Sequence, residues 1–429
     1  MKLDRTIEPE IKAIDHIDFP QLQTIELPNG VSLHYLNMGD QDVVRIDLMF
    51  GAGRYDQDVL FQAAFTNLLL KDGAGTLNSS EMAEKLDFYG AWLQNSTTQH
   101  YSYVTMYSLN RFFAETAKLL EMMVKEPHLP EHEFEILKEN RKQQFMVERD
   151  RVQVLATEAF SKALWGEQHP YGRQAVEADF DKLSLDNIRD FHKKCYYSDN
   201  MRIFLSGKIT EEMLAVMTEL FGRVKWGSDL RLSSKDFAIE PLASKQVFVE
   251  KKNALQDSIR VGLPIPNRDH PDFYALKVLN TVLGGYFGSR LMTNIREEKG
   301  YTYGIGSAVA SFRCGAYMYI TTQTACEYSK LTMEEIYHEI NKLHNELIPD
   351  EELEMVKNFM MGEFSRNLDG PFALADAFIS LFANNSTIEF YQKQIEVTRN
   401  ITAEELQKVA RKYLKKEDMI EVVAGLRQE

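Results

Sequence analysis

The chain has 429 residues, 44% hydrophobic and 26% charged, a composition typical of a soluble globular protein. A formal net charge of −15 without any basic run argues against nucleic-acid binding and favours neutral or basic peptide-like partners. No apolar stretch reaches the roughly 18 residues of a membrane span, and the opening MKLDRTIEPEIKAIDH lacks the apolar core of a signal peptide. Three cysteines are too few for a disulfide framework, so we expect a reducing, cytoplasmic location away from membranes.

The predicted elements follow the same order in each half of the chain. The first half predicts strands over 22–50, an interior helix over 58–71, a capped helix over 79–90, strands over 91–109, and long amphipathic helices over 110–125 and 131–165. The second half predicts strands over 245–266, helices over 271–283 and 288–299, strands over 301–324, and helices from 328 to 383. We therefore predict the α+β class, with a mostly antiparallel sheet in each half and helices on one face of it.

One segment is present twice. Residues 183–207 align without a gap to residues 401–425, 218 positions later, and each copy predicts a capped helix, a short turn and a buried strand. An offset of half the chain predicts two homologous domains. We place an N-terminal domain at 1–225, a linker at 226–245 and a C-terminal domain at 246–429, and we expect any site to lie between the domains.

The sequence HLPEH at 128–132 fits the zinc motif H-x-x-E-H, in which two histidines one helical turn apart bind the metal. Proline is tolerated at the start of a helix, so the helix is predicted to begin at Pro130 and His128 lies outside it. No third ligand is well placed. We interpret the match as a coincidence, and a self-sufficient peptidase using His128 and His132 stays open as an alternative.

Longer stretches of the sequence carry a family resemblance. They are GAGRYDQ, the buried helix FQAAFTNLLLKDGAGT and QNSTTQHYSYVTMYSL in the first half, and LGGYFGSRLMTNIREEKGYTYGIGS in the second. With the internal repeat, they resemble the insulinase/pitrilysin family of zinc metallopeptidases (inverzincins) over nearly the whole chain, in the small two-domain form that works as a dimer. The resemblance implies metal-assisted peptide hydrolysis in active members and an extended peptide substrate.

The resemblance also implies a degenerate metal site. In the family the buried helix carries H-x-x-E-H before a hydrophobic triplet and a lysine, and LLLK at 68–71 sets the register here. The histidine positions are then Ala63 and Asn67, the glutamate position is Thr66, and the third ligand position is Gln144. These side chains do not suit zinc, and a slip of one residue would also find no histidine. We therefore predict no metal and no cofactor on this chain.

Arg296 and Tyr303 are the candidate functional residues of the second half. They lie seven positions apart around Gly300. In the family, an arginine and a tyrosine at this spacing reach from the half without zinc to the catalytic half, where they bind peptide carbonyls and the developing oxyanion. A favourable helix dipole and a strand preference would explain the same two residues without a function.

Three glycines and two histidines are further candidates for site residues. Gly284, Gly285 and Gly288 form a loop that either lets a peptide approach closely or simply connects two helices. His169 and His192 have no companions at ligand spacing and are interpreted as structural.

The sequence thus predicts a non-catalytic subunit of a heterodimeric zinc metalloendopeptidase. A paralogous partner would carry the intact motif and the zinc, and this chain would complete the chamber that binds an extended peptide. Intrinsic peptidase activity is not expected from this chain alone. One alternative is a structural or binding protein on the same scaffold, as in the related core subunits of a respiratory cytochrome complex.

Overall fold

The computed structural model describes residues 6, 14, 17–231 and 235–427. Most of the opening segment, for which the sequence predicts no signal peptide, lies outside these residues, as do 232–234 of the predicted linker. The strands are β1 Gln23–Glu26, β2 Ser32–Asn37, β3 Val43–Phe50, β4 Trp92–Thr97, β5 Ser102–Leu109, β6 Met201–Gly207, β7 Gln246–Glu250, β8 Gln256–Ile265, β9 Thr302–Phe312, β10 Gly315–Ala325 and β11 Ile420–Gly425. The helices are α1 Gln62–Leu69, α2 Ser79–Tyr89, α3 Phe113–Lys125, α4 Glu131–Arg149, α5 Val152–Trp165, α6 Leu185–Cys195, α7 Glu211–Met217, α8 Asp272–Asn280, α9 Ser329–Asn345, α10 Asp350–Asn367, α11 Gly370–Ala383, α12 Glu389–Asn400 and α13 Ala403–Tyr413.

The strands form two sheets with equivalent topology. The order is β1-β2-β6-β3-β5-β4 in the first sheet and β7-β11-β8-β10-β9 in the second. Each sheet contains one parallel pair, β2 with β6 and β7 with β11, and its other pairs are antiparallel. The predicted α+β class is confirmed. The last strand of each half is inserted in the interior of its sheet, while β4 and β9 lie at sheet edges.

The repeated segment occupies the same place in both sheets. Its first copy supplies α6 and β6, and its second copy supplies α13 and β11. Thr402 Oγ1 accepts a hydrogen bond from the Glu405 backbone N–H at 3.3 Å, and Glu405 Oε2 accepts one from the Thr402 N–H at 3.0 Å. This capping box satisfies two donors at the start of α13, and Ser184 with Asn187 does the same at α6.

Each sheet also packs against a helix from the other half. The predicted helical segment 131–165 is divided, because Arg151 is extended (φ −87°, ψ 129°) between α4 and α5. This break directs Phe160 and Leu164 of α5 onto Val422 of the second sheet. In return, α11 packs its apolar face against β2 of the first sheet. The two halves are therefore interlocked by an exchange of helices.

No helix in the described ranges has the length and apolar character needed to cross a bilayer.

Candidate functional site

Helix α1 is held against the first sheet by the face that contains Ala63, Thr66 and Asn67. These three residues are fully buried. Thr66 Oγ1 donates to the carbonyl of Gln62 at 2.8 Å, one turn back in the same helix. Asn67 Nδ2 donates to the carbonyls of Ser96 and Tyr103, at 2.8 and 3.1 Å, and so ties α1 to strands β4 and β5. Both polar side chains therefore have structural partners, Asn67 on the sheet and Thr66 within its own helix.

The opposite face of α1 opens onto a cleft beneath α4. Ala64 and Leu68, which are partly exposed, line a cavity of about 340 Å³ together with Gln144. Gln144 lies on α4, where its Oε1 accepts from Arg141 and its Nε2 donates to Glu148. The structure thus brings Gln144 to Ala64 and Leu68 and leaves Ala63, Thr66 and Asn67 on the other side of the helix. The α1 residues that face α4 are thus Ala64 and Leu68. Each lies one position after its counterpart in the pair Ala63 and Asn67, which the sequence register selects.

This cleft does not fit a zinc ion. Zinc sites use imidazole, thiolate or carboxylate ligands, and the α1 side chains that face the cleft are aliphatic or aromatic. The floor is built from four phenylalanines in mutual contact: Phe61, Phe65, Phe145 and Phe180. Across the described parts of the chain, no group of three or more His, Cys, Asp or Glu side chains could hold a metal.

The HLPEH segment does not form a metal site either. Pro130 is the N-cap of α4 and Leu129 has a left-handed backbone (φ 47°), so His128 precedes the helix, as the proline predicts. The Nε2 atom of His128 lies 2.8 Å from the carbonyl oxygen of Gly75. His132 is in the first turn of α4, so the two imidazoles do not share a helical face.

His169 and His192 have structural partners. His169 Nδ1 accepts the backbone N–H of Tyr171 at 3.1 Å, and its ring stacks on Trp165. His192 Nε2 donates to the carbonyl of Val124 at 2.9 Å, and burial lowers the pKa of His192 to about 4. Burial lowers the pKa of His169 as well. Both imidazoles are therefore neutral components of the packing at physiological pH.

A second candidate site lies at the edge of the second sheet, where Tyr303 stands at the start of β9. Tyr303 and Gly304 together oppose the single residue Gln323 of β10, because the register shifts between Thr322 and Thr324. This β-bulge redirects the strand, and the Tyr303 side chain is 94% exposed. The phenol is consequently accessible to a molecule that binds at the edge of the sheet.

Arg296 lies in the helical turn that leads into β9. Its guanidinium carbon is 4.8 Å from the ring centre of Phe287, which is 64% exposed, and its nearest carboxylate is Glu297 at 3.9 Å. The backbone N–H of Tyr301 donates to the Ile295 carbonyl at 3.1 Å, which closes the turn at Gly300 (φ 69°). Arg296 is thus held by an aromatic contact and has guanidinium donors left for another acceptor.

The helical segment that carries Arg296 is anchored from beneath. Arg290 makes a two-point ion pair with Glu352 of α10, with both N–O distances 2.8 Å. Asn294 Nδ2 donates to Glu339 at 2.6 Å and to Glu335 at 3.0 Å, both on α9. These contacts fix the orientation of the segment relative to two long helices.

The glycine-rich loop is partly structural. Gly284 lies in a π-helical turn, and a Cβ atom there would fall 2.7 Å from the backbone nitrogen of Ser307 in β9. A Cβ atom on Gly285 would meet only side-chain and carbonyl atoms of 280–281 at 3.2 Å or more. Near Gly288 the closest atom would belong to the mobile end of Tyr286, at 2.9 Å. Close packing against β9 therefore explains Gly284, and Gly288 borders the exposed Phe287.

Phe287 and the bulge at Tyr303 were not predicted from the sequence. An apolar ring that directly precedes a glycine, in a loop with two more glycines, is a signal for the exposed aromatic residue, because little local structure is available to bury it. The bulge leaves a weaker signal, the Gly304 that directly follows Tyr303.

The fold is an α+β scaffold of two similar halves with a cleft between α1 and α4. Residues 182–360 match the family profile described as Peptidase M16 inactive domain. The chain is similar to the "uncharacterized zinc protease YmxG" of Bacillus subtilis, with 24% identity over 346 residues that cover 80% of this chain and 83% of that protein.

Two solved structures share the fold. One is a peptidase M16 inactive domain from Pseudomonas fluorescens, with TM-score 0.84, 23% identity and coverage of 95% of this chain and 99% of that one. The other is a protease from Helicobacter pylori, with TM-score 0.82, 17% identity and coverage of 94% and 99%. The resemblance to insulinase- and pitrilysin-type peptidases is confirmed.

Proposed function

We propose that this chain is the non-catalytic subunit of a heterodimeric zinc metalloendopeptidase. Its partner would be a paralogous chain with an intact H-x-x-E-H helix and the zinc ion. The present chain would complete the chamber that receives an extended peptide, and Arg296 and Tyr303 would act in the partner's site.

The observation that carries this proposal is the outward presentation of Arg296 and Tyr303. A phenol that is 94% exposed contributes little to the packing of its own chain. A guanidinium stacked on a ring, with its nearest carboxylate 3.9 Å away, keeps hydrogen-bond donors free at low conformational cost. Tyr303 lies on the edge strand β9, where an incoming peptide can add as a further strand, and Arg296, with a side chain 35% exposed, lies in the turn just before it.

The cleft between α1 and α4 also supports a complex in which the partner, and not this chain, holds the zinc ion. Ala64 and Leu68 cannot hold a metal, so any hydrolysis in the complex would take place on the partner. The role left to this chain is to bind and orient peptide and to donate hydrogen bonds to oxygens that gain charge in the transition state.

The test combines this chain with a paralogous chain that carries the intact motif, and follows cleavage of an internally quenched fluorescent peptide. Cleavage should require both chains. Arg296→Ala should lower kcat/KM by about 100-fold, as expected for the loss of one transition-state donor, and Tyr303→Phe should lower it by about 10-fold or more. Sedimentation velocity on each mixture separates lost catalysis from lost association.

Arg366→Ala is the matched control, because Arg366 is exposed on α10 and pairs with Glu363 of the same helix. It should leave cleavage unchanged. A partner that is equally fast alone would refute the proposal. A complex of the two chains that never cleaves peptide would favour the binding-protein alternative instead.

A further inference from the structure

The cleft between α1 and α4 extends beyond the cavity that Ala64, Leu68 and Gln144 line. A second cavity, of about 370 Å³, adjoins the first and shares Arg54, Phe61, Ala64 and Phe145 with it. Together the two cavities have the size of a small-ligand site, for which volumes of about 300–1,000 Å³ are usual. The floor is aromatic, since the rings of Phe61 and Phe180 stack at 4.2 Å with Phe145 against them.

Arg54 stands at the junction of the two cavities on a turn that is closely fixed. The backbone N–H groups of Arg54 and Tyr55 donate to the carbonyls of Thr98 and Gln99, at 3.1 and 2.7 Å, in the turn between β4 and β5. A Cβ atom on Gly53 would collide with the backbone of that turn, so only glycine allows this approach. The start of the Arg54 side chain is thereby held at the edge of the cleft.

The guanidinium of Arg54 has no hydrogen-bond or ion-pair partner in the part of the chain that the structure describes. Although the residue reaches solvent, burial lowers the pKa of Arg54, so nearby protein atoms already remove part of its water. The carboxylates of the cleft are engaged elsewhere: Glu148 accepts from Gln144 at 2.7 Å, and Glu158 lies 3.8 Å from Arg149. Within the described residues, a cation without a carboxylate partner therefore stands beside a cavity with an aromatic floor, in a chain that carries a net charge of −15.

We propose that this cleft binds an apolar side chain that is adjacent to a carboxylate, with the side chain on the phenylalanine floor and the carboxylate on Arg54. A peptide that ends in an apolar residue offers both groups on one residue. Arg54 can bind a carboxylate through two parallel N–H donors, which gives a strong and directional contact. The site belongs to this chain alone and requires no partner subunit.

The position of the cleft favours a peptide as the occupant. Strand β4 is the free edge of the first sheet, and Asn95 and Thr97 of that strand line the cavity. An extended peptide can therefore lie along β4 while its last side chain enters the cleft. A carboxylate could also come from an aspartate or glutamate side chain next to an apolar residue, and the experiment distinguishes the two sources.

The experiment measures fluorescence anisotropy of N-terminally labelled decapeptides with the purified full chain and no partner. The peptides end in Phe as the free acid, in Phe amide, in Asp-Phe amide, and in Ser as the free acid. The Phe acid should bind about 10-fold more tightly than the Phe amide and the Ser acid. Tight binding of the Asp-Phe amide would show that a side-chain carboxylate serves equally well.

Arg54→Gln should weaken binding of the Phe acid to the level of the amide, and Ala64→Trp should abolish binding by filling the cleft. Ala64→Leu is the smaller substitution if the tryptophan variant does not give a native circular dichroism spectrum. Arg223→Ala is the matched control, because Arg223 is exposed and pairs with Glu219 of the same helical segment.

Equal affinity for acid and amide, or unchanged binding by a folded Ala64 variant, would overturn the inference. Neither result depends on peptide cleavage, so a failure here is separable from a failure of the heterodimer proposal.

Discussion

Arg45 of β3 and Asp376 of α11 form an ion pair between the two halves of the chain, with Nη2 and Oδ1 2.7 Å apart. Arg45 is buried, and its Nε also contacts Asp47 Oδ2 at 2.7 Å within the first sheet. One guanidinium thus joins a carboxylate of its own sheet to a carboxylate of the helix that the second half contributes. The contact lies where the exchanged helix α11 crosses the first sheet.

The two partners of Arg45 should contribute unequally to stability. Arg45→Met removes the charge but leaves Asp47 buried, and loss of one member of a buried pair typically costs ~3–5 kcal/mol. The Asp376 side chain is 69% exposed, so Asp376→Asn should cost less than ~1 kcal/mol. Urea unfolding followed by circular dichroism measures both free energies. A larger loss for Asp376→Asn than for Arg45→Met would contradict this assignment.

Buried histidines should make the protein less stable in mild acid. Burial lowers the pKa of His192 to about 4, whereas an unfolded histidine titrates near 6.5. Between these values the unfolded chain binds more protons, so the free energy of unfolding falls as the pH is lowered from about 6.5 towards about 4. From His192 alone the loss at pH 5 is about 2 kcal/mol relative to pH 8.

His192→Gln tests this origin, because an amide can still donate to the Val124 carbonyl but does not titrate. The variant should lose less stability between pH 8 and pH 5 than the parent chain, in urea unfolding at each pH. Burial lowers the pKa of His34 and His100 to about 4 as well, so a residual dependence on pH should remain. An unchanged pH dependence in the variant would show that folding does not lower the pKa of His192.

The geometry of α1 predicts where a metal site could be built. Ala64→His, Leu68→His and Gln144→Glu place three ligands around one cavity, and this variant should bind zinc at 1:1 stoichiometry. The matched variant Ala63→His, Asn67→His and Gln144→Glu directs both imidazoles into the sheet, so it should bind no zinc and unfold at a lower temperature. Metal analysis after dialysis measures both. Zinc retained by the second variant alone would show that the open face of α1 is assigned to the wrong residues.

These positions illustrate how far the sequence predicts the site. Helix α1 is apolar on most faces, so the hydrophobic pattern of the sequence predicts that it is interior. The same pattern does not distinguish the face at Ala63 from the face at Ala64. Only the packing of α4 makes that choice. The two capping boxes were predictable because their residues are three positions apart. The crossings of α5 and α11 were not, because each depends on contacts with the opposite half of the chain.

The second site shows the same limit. The spacing of Arg296 and Tyr303 could be obtained from the sequence, together with a family resemblance. Their exposure could not, since it depends on a bulge opposite Gln323 and on the ring of Phe287. Local patterns therefore predicted the elements and the candidate residues, while long-range pairing decided which side chains face outward.

The glycine-rich loop supplies a last test, because two of its glycines should respond differently to alanine. At Gly284 the new Cβ would lie 2.7 Å from the Ser307 backbone nitrogen, so the turn or β9 would have to move. Overpacking of this kind usually costs about 1–3 kcal/mol, and Gly284→Ala should lower the melting temperature by several degrees. At Gly288 the obstacle is the ring of Tyr286, which can rotate away, so Gly288→Ala should melt close to the parent chain. If Gly284→Ala instead leaves the melting temperature unchanged and lowers only peptide cleavage in the two-chain mixture, Gly284 serves the peptide and not the packing of β9.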